Sequence, residues 1–313
     1  MFDAVMDSRP PDAAAVGARP WPAPLRTDQA AALRLYLQAV AAYEQAAAAA
    51  SSAQARPEIA PLRRVAQRVV DSLRDDSAPL LGLCTLKGLK TPPGRIVRTH
   101  GVNTMILAVA LAQTAGLPRL VQVQVGLAGL LHDLGRDTGM AAAPHGIATV
   151  NALLRFRAIE DVAVLAVAAL CHDATVAPAA SSEDGVAAIV RIADAYDTLT
   201  AREGLDGSPD LVLAFLLRNR SAGFDAALVR CFARCLGMYP PGTAVQLEDG
   251  SVGLVMRAAL PASPAGPLVR VCCKADGTPV AEDVWARSGV RVVTSVDAAA
   301  FGIDPAQFFA PRA

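Results

Sequence analysis

Apolar residues recur at helical spacing through most of the first three quarters of the chain, and the texture turns to short β-type runs after residue 239. Leu33, Tyr36 and Val40 mark one face of a helix that starts near Thr27, a suitable N-cap followed by Asp28, and runs to an alanine-rich end near Ser51 and Ser52. A second helix is predicted from Pro61 to Leu73. From about residue 78 to 238 one pattern repeats: a helical stretch, a short polar or Pro/Gly break, another helix. Leu120, Val123, Leu127, Leu130, Leu131 and Leu134 follow i, i+3, i+4 spacing and predict a helix, although Val121 to Val125 alternates as a strand would. Ser181 to Asp184 fits a capping box ahead of Ile189, Ile192, Tyr196 and Leu199, and Ser208, Pro209 and Asp210 stand in the order N-cap, first-turn proline, first-turn acid. The last helix, Phe224 to Leu236, is predicted to stop at Gly237.

Beyond Tyr239-Pro240-Pro241-Gly242, the runs Thr243 to Leu247, Val252 to Met256 and Leu268 to Cys272 read as strands, and Asp249-Gly250 and Asp276-Gly277 are hairpin dipeptides. Five prolines among small residues in 1–26 predict a disordered arm. The expected organisation is that arm, N-terminal helices over 27–77, a helical domain over 78–238, and a small antiparallel β module with its tail over 239–313. The fold class is mainly α. The N-terminal pair of helices suits either plain packing or homodimer formation.

An apolar fraction of 53% and a mean hydropathy of +0.35 exclude a disordered chain, and the alanine content favours helix. The formal net charge is zero, with no basic run interleaved with aromatics, which argues against nucleic acid or an acidic membrane as partner. No apolar run approaches the roughly 18 residues of a membrane span. Six cysteines without CxxC spacing and an N-terminus lacking a basic and then apolar segment point to a reduced, cytoplasmic protein.

The chemistry concentrates between residues 100 and 200, a stretch that holds all four histidines, His100, His132, His145 and His172. His132-Asp133 follows the apolar stretch Leu127 to Leu131 and puts an imidazole and a carboxylate into a hydrophobic wall. A hydrolytic metal site needs at least three N/O ligands per ion, and imidazole with carboxylate suits Fe, Mn, Zn, Ni or Co. The candidate ligands in chain order are His100, His132, Asp133, His145, His172 and Asp194. Neighbouring helical side chains diverge by roughly 100°, so His132 and Asp133 can serve two different ions. Asp194 and Asp197 share a helix face at i, i+3; one of them can bind metal while the other orients a ligand histidine.

Leu130-Leu131-His132-Asp133-Leu134-Gly135, with Arg98 to Asn103 upstream and Ile192 to Leu199 downstream, resembles the HD superfamily of metal-dependent phosphohydrolases, and within it the HD-GYP phosphodiesterases of cyclic di-GMP. The resemblance covers about residues 78–238 and implies an HD helical bundle. It implies metal ligation by His100, His132, Asp133, His145, His172 and Asp194, most simply as a two-ion site, with Asp133 bridging the ions and a metal-held hydroxide attacking phosphorus. The implied substrate is a cyclic dinucleotide or related phosphoester in bacterial signalling.

The chain departs from the family pattern at five points, one of them the lysine expected after the second aspartate, which is not evident near Arg202-Glu203. Cys171 stands where the family has the first of two consecutive histidines, and is a further candidate ligand as thiolate. Arg136 replaces a lysine and suits a phosphate contact but not proton donation. The connection from Asp133 to His145 is short, and residues 173–185 contain no Gly-Tyr-Pro. Three functions are therefore weighed: a divergent metal-dependent phosphodiesterase, a catalytically inactive HD-GYP-like module that binds a nucleotide or a signalling protein, and a helical interaction scaffold whose histidines are structural.

Overall fold

The structure is a computed structural model that describes residues 26–52, 54–86, 96–137, 145–156, 182–201, 208–218, 224–259, 266–280, 284–286 and 289–309. The arm expected over 1–26 lies outside the described residues apart from Arg26, where helix α1 (Arg26–Ser51) begins. Helix α2 (Ile59–Asp75) has an unambiguous apolar face. Ile59, Leu62, Val65, Ala66, Val69, Val70 and Leu73 are all buried, at the spacing that keeps one stripe of a helix on a core. The short α3 (Ala78–Cys84) follows with Pro79 in its first turn, where the missing N–H costs nothing.

The centre of the fold is α4 (Ile96–Thr114) crossed by α5 (Arg119–Leu131). Residues Val121 to Val125, which alternate in sequence, are helical; Val123, Val125, Leu127, Leu130 and Leu131 go into the core, so tertiary burial overrides the local strand-like pattern. Two glycines let these helices meet backbone to backbone. A Cβ on Gly101 would lie 2.7 Å from the Leu130 carbonyl oxygen, and one on Gly129 would lie 3.1 Å from Thr104 O and Met105 Cα.

A single turn, α6 (Leu134–Asp137), and α7 (His145–Leu153) come next, joined by the Gly135 N–H donating to Thr149 Oγ1 at 3.0 Å. Helix α8 (Ser182–Thr200) packs Ile189, Val190, Ile192, Ala193 and Tyr196 inward, and Tyr196 meets Phe232 edge-on with ring centroids 5.2 Å apart. Phe232 belongs to α10 (Ala226–Leu236), which Asp225 caps by accepting from Ala227 N and Leu228 N, and which ends at Gly237 with φ +74°. Between them α9 (Pro209–Arg218) starts on Pro209; the Ser208 hydroxyl donates to the Asp210 carboxylate at 2.6 Å.

The C-terminal strands β1 (Ala244–Leu247), β2 (Val252–Arg257), β3 (Leu268–Cys273) and β4 (Val292–Ser295) form an antiparallel sheet in the order β3-β2-β1-β4. Strand β4 adds to the three predicted runs; Val292, Val293 and Thr294 are β-branched, a strand signal, but the four residues carry no apolar–polar alternation. A 3₁₀ turn (Ala298–Phe301) and α11 (Ala306–Phe309) bring Phe309 back under α3. One hydrophobic cluster runs from Ala32 in α1 to Phe309, and Arg257 of β2 grips both oxygens of Asp76 at 2.9 and 2.7 Å. The sheet is thus tied to the helices by both packing and a bidentate ion pair. Among the described residues no helix is long and apolar enough to cross a membrane.

The helix crossing yields a stability prediction. Gly101→Ala forces its methyl against a backbone carbonyl that cannot rotate away and should lower unfolding free energy by about 1–3 kcal/mol in urea titrations. Gly185→Ala, in a helix with nothing within 4 Å of the new methyl, should be neutral or stabilising. Equal stability of the two variants would contradict the close-approach account.

Candidate metal centre

Three elements converge at the junction where α4 begins and α5 ends. His100 sits in the first turns of α4, immediately before Gly101. His132 follows the last residue of α5. The backbone contact at Gly101 and Leu130 therefore brings the two imidazoles together, with ring centroids 5.2 Å apart and an interplanar angle of 68°. Helix α8 lays Asp194 and Asp197 across them from the third side.

The hydrogen bonds decide which nitrogen of each ring faces the centre. His132 is fully buried, and its Nδ1 lies 2.8 Å from the Gly129 carbonyl oxygen. A carbonyl only accepts, so Nδ1 carries a proton, and when the ring is neutral Nε2 holds the lone pair. His100 Nδ1 lies 2.7 Å from Asp197 Oδ2, which fixes the same tautomer when the ring is neutral. Its Nε2 then points at Asp194 Oδ1, 3.1 Å away, and His132 Nε2 is 3.7 Å from that oxygen. Two imidazole nitrogens and one carboxylate oxygen thus lie within 4.8 Å of one another.

This donor set fits a divalent transition ion. Each histidine has its outer nitrogen engaged by an acceptor, the arrangement that orients metal-ligating imidazoles and raises their basicity. His/His/Asp is also an N/O set of the type that borderline cations prefer. Asp133 adjoins the trio, with Oδ1 3.8 Å from His132 Nε2, while its Oδ2 accepts from Arg136 at 2.6 Å. Arg136 is itself exposed, one helical turn on. His145 opens α7; Cys171 and His172 lie outside the described residues.

Two further residues join the centre without having stood out as site residues in the sequence. Asn103 Nδ2 donates to Asp197 Oδ1 at 2.9 Å, and Tyr36, from the N-terminal helix, donates its hydroxyl to Asn103 Oδ1 at 2.7 Å. Asn103 lies one turn beyond His100 on the same face, which is its only local signal. Tyr36 reads in sequence as an ordinary core aromatic.

The electrostatics follow from this packing. Burial works against an imidazolium at His100, but the hydrogen bonds and charges of Asp194 and Asp197 outweigh it and raise its pKa to about 10. Burial likewise works to raise the Asp194 pKa, yet His100 and His132 hold that carboxyl well below the usual range. In the metal-free protein at neutral pH a proton on His100 therefore sits between the two carboxylates. Its pKa is above the unfolded value of about 6.5, so its contribution to stability is full below pH 6.5 and is lost as pH rises through about 10.

A metal ion must displace that proton. At pH 7.5 each ion bound at this trio should release about one proton, against about a tenth of a proton for a histidine of ordinary pKa. Calorimetry in buffers of different ionisation enthalpy measures this directly. Asp197→Asn should lower the number released; release near zero in the wild type would contradict the assigned electrostatics.

Comparison with known proteins agrees with the geometry. The family model described as the HD domain matches residues 97–199, the stretch that runs from α4 to the end of α8. The Pseudomonas aeruginosa protein named cyclic di-GMP phosphodiesterase PA4108 is 27% identical over half of this chain, and the match covers 43% of that relative's length. The chain thus spans less than half of the curated relative it matches. Bd1817, a HDG"Y"P protein from Bdellovibrio bacteriovorus, superposes with a TM-score of 0.50 at 14% identity over 74% of this chain and 76% of its own, a likeness of fold. Residues 97–199 match the HD domain, and the chain is similar in sequence to a protein named as a cyclic di-GMP phosphodiesterase and in fold to an HD-GYP-type protein.

Proposed function

We propose that the chain is a metal-dependent phosphodiesterase acting on cyclic di-GMP or a related phosphoester in bacterial signalling. The observation that carries this reading is the convergence of His100 Nε2, His132 Nε2 and the Asp194 carboxylate on one point, each imidazole held by an acceptor behind it. The substrate class is supported by the similarity to a relative named as a cyclic di-GMP phosphodiesterase.

A bound divalent ion would supply an acidified water and neutralise phosphate charge. The protein's own part is to hold and orient. His100, His132 and Asp194 would form the first ion's protein ligands. Asp133 is proposed as the bridging ligand toward a second ion, completed by His145, His172 and, as a thiolate, Cys171. Arg136, exposed and paired with Asp133, would steady that carboxylate and is proposed as a phosphate contact.

One observation favours a second reading, a module that binds its nucleotide without turning it over. Arg136 already accompanies Asp133 at 2.6 Å, and this cation beside the proposed bridging carboxylate opposes a second ion there. The absence of Gly-Tyr-Pro from residues 173–185 points the same way.

Hydrolysis separates the two. Protein loaded with Mn²⁺ or Fe²⁺ should cleave cyclic di-GMP or bis(p-nitrophenyl) phosphate, lose this activity to a chelator and regain it on metal addition. Asp194→Ala should lower the rate by more than about a hundredfold, beyond the 10–100-fold typical of losing an outer partner of a ligand. Binding of cyclic di-GMP with no turnover under any of these ions would establish the second reading instead.

A further inference from the structure

We propose that Tyr36 and Asn103 are positioning residues of the metal centre, holding Asp197 so that His100 presents Nε2 to Asp194 and His132. This rests on the metal-centre reading above and extends it to the N-terminal helix. The chain of contacts crosses three helices: Tyr36 on α1, Asn103 on α4, Asp197 on α8.

Its direction follows from acceptor chemistry. Asp197 has one oxygen on His100 Nδ1 and the other on Asn103, and a carboxylate can only accept. Asn103 must therefore turn its NH₂ toward Asp197 and its carbonyl toward Tyr36. The Tyr36 hydroxyl, 2.7 Å from that carbonyl, must be the donor. It is able to remain one, because burial pushes the phenol pKa well above its ordinary value. The second amide hydrogen of Asn103 faces the Cys84 carbonyl oxygen at 3.5 Å, so both ends of the amide have a reason for their orientation.

Each link is buried or nearly so. Tyr36 is 2% exposed, and Asn103 and Asp197 are 7% exposed each, so water cannot readily replace a lost partner. Without the Tyr36 hydroxyl, the Asn103 carbonyl loses its donor. An amide that flips to find another would aim its oxygen at Asp197, carboxylate against carbonyl. Asp197 would then shift, and His100 would lose the contact that fixes its tautomer and ring plane.

The test uses the full chain and Co²⁺ alone as probe, reading the dissociation constant and the visible ligand-field band. Tyr36→Phe, which keeps the packed ring, should weaken Co²⁺ binding by about tenfold and alter the band. Asn103→Asp keeps the volume but sets an acceptor against Asp197, and should weaken binding by up to about a hundredfold. Circular dichroism and urea unfolding identify whether each variant is folded, and the two substitutions give independent readings. Wild-type affinity and an unchanged band in both variants would overturn the positioning role while leaving the metal centre standing. A wild-type chain that takes up no Co²⁺ would overturn the metal centre and this role with it.

Discussion

The site depends on how closely α4 and α5 approach. Side chains normally keep helix axes 8–10 Å apart, but at Gly101 and Gly129 the two backbones are the contact surfaces. That contact lies next to the ends that carry His100 and His132, so the ring-to-ring distance is set by backbone against backbone rather than by adjustable side chains. Ordinary residues at these glycines would push the helices apart and with them the two imidazoles. The apolar cluster on every other side, from Val102 and Met105 to Leu130 and Leu131, keeps the approach from relaxing.

Around this rigid pair the polar groups form a graded series. The inner atoms, the two Nε2 nitrogens and the Asp194 carboxylate, are the ones chemistry can use. Behind them stand acceptors that fix ring orientation: the Gly129 carbonyl for His132 and Asp197 for His100. Behind Asp197 stand Asn103 and then Tyr36. Such a series gathers carboxylates around His100, and their hydrogen bonds and charge outweigh the cost of burial, which explains why a metal-free His100 keeps a proton to about pH 10 and why a cation is the natural occupant.

Much of this was legible in the sequence, for identifiable reasons. Helices with a one-sided apolar face, such as α2 and α10, declare themselves because burial and periodicity coincide. Asp194 and Asp197 announce a shared face through i, i+3 spacing, and the Asp-Gly pair at 249–250 marks the β1–β2 hairpin. Strand β4 is harder to read, because its β-branched Val292, Val293 and Thr294 stand in a four-residue run with no apolar–polar alternation. Tyr36 was hidden for a different reason: its apolar ring obeys the helix pattern, while its hydroxyl meets a residue 67 positions away, and no local spacing encodes that contact. Long-range partners of a ligand histidine are a property of packing, not of pattern.

The claim beneath all of these is that the three converging donors bind a metal ion. Elemental analysis of the purified chain, equilibrated with Mn, Fe, Co and Zn salts and freed of excess, tests it most directly when the wild type is set beside His132→Ala and Asp194→Ala. The account predicts at least one tightly held ion per wild-type chain and its loss in both variants. A wild-type chain that retains no ion, or variants that retain as much as the wild type, would contradict it.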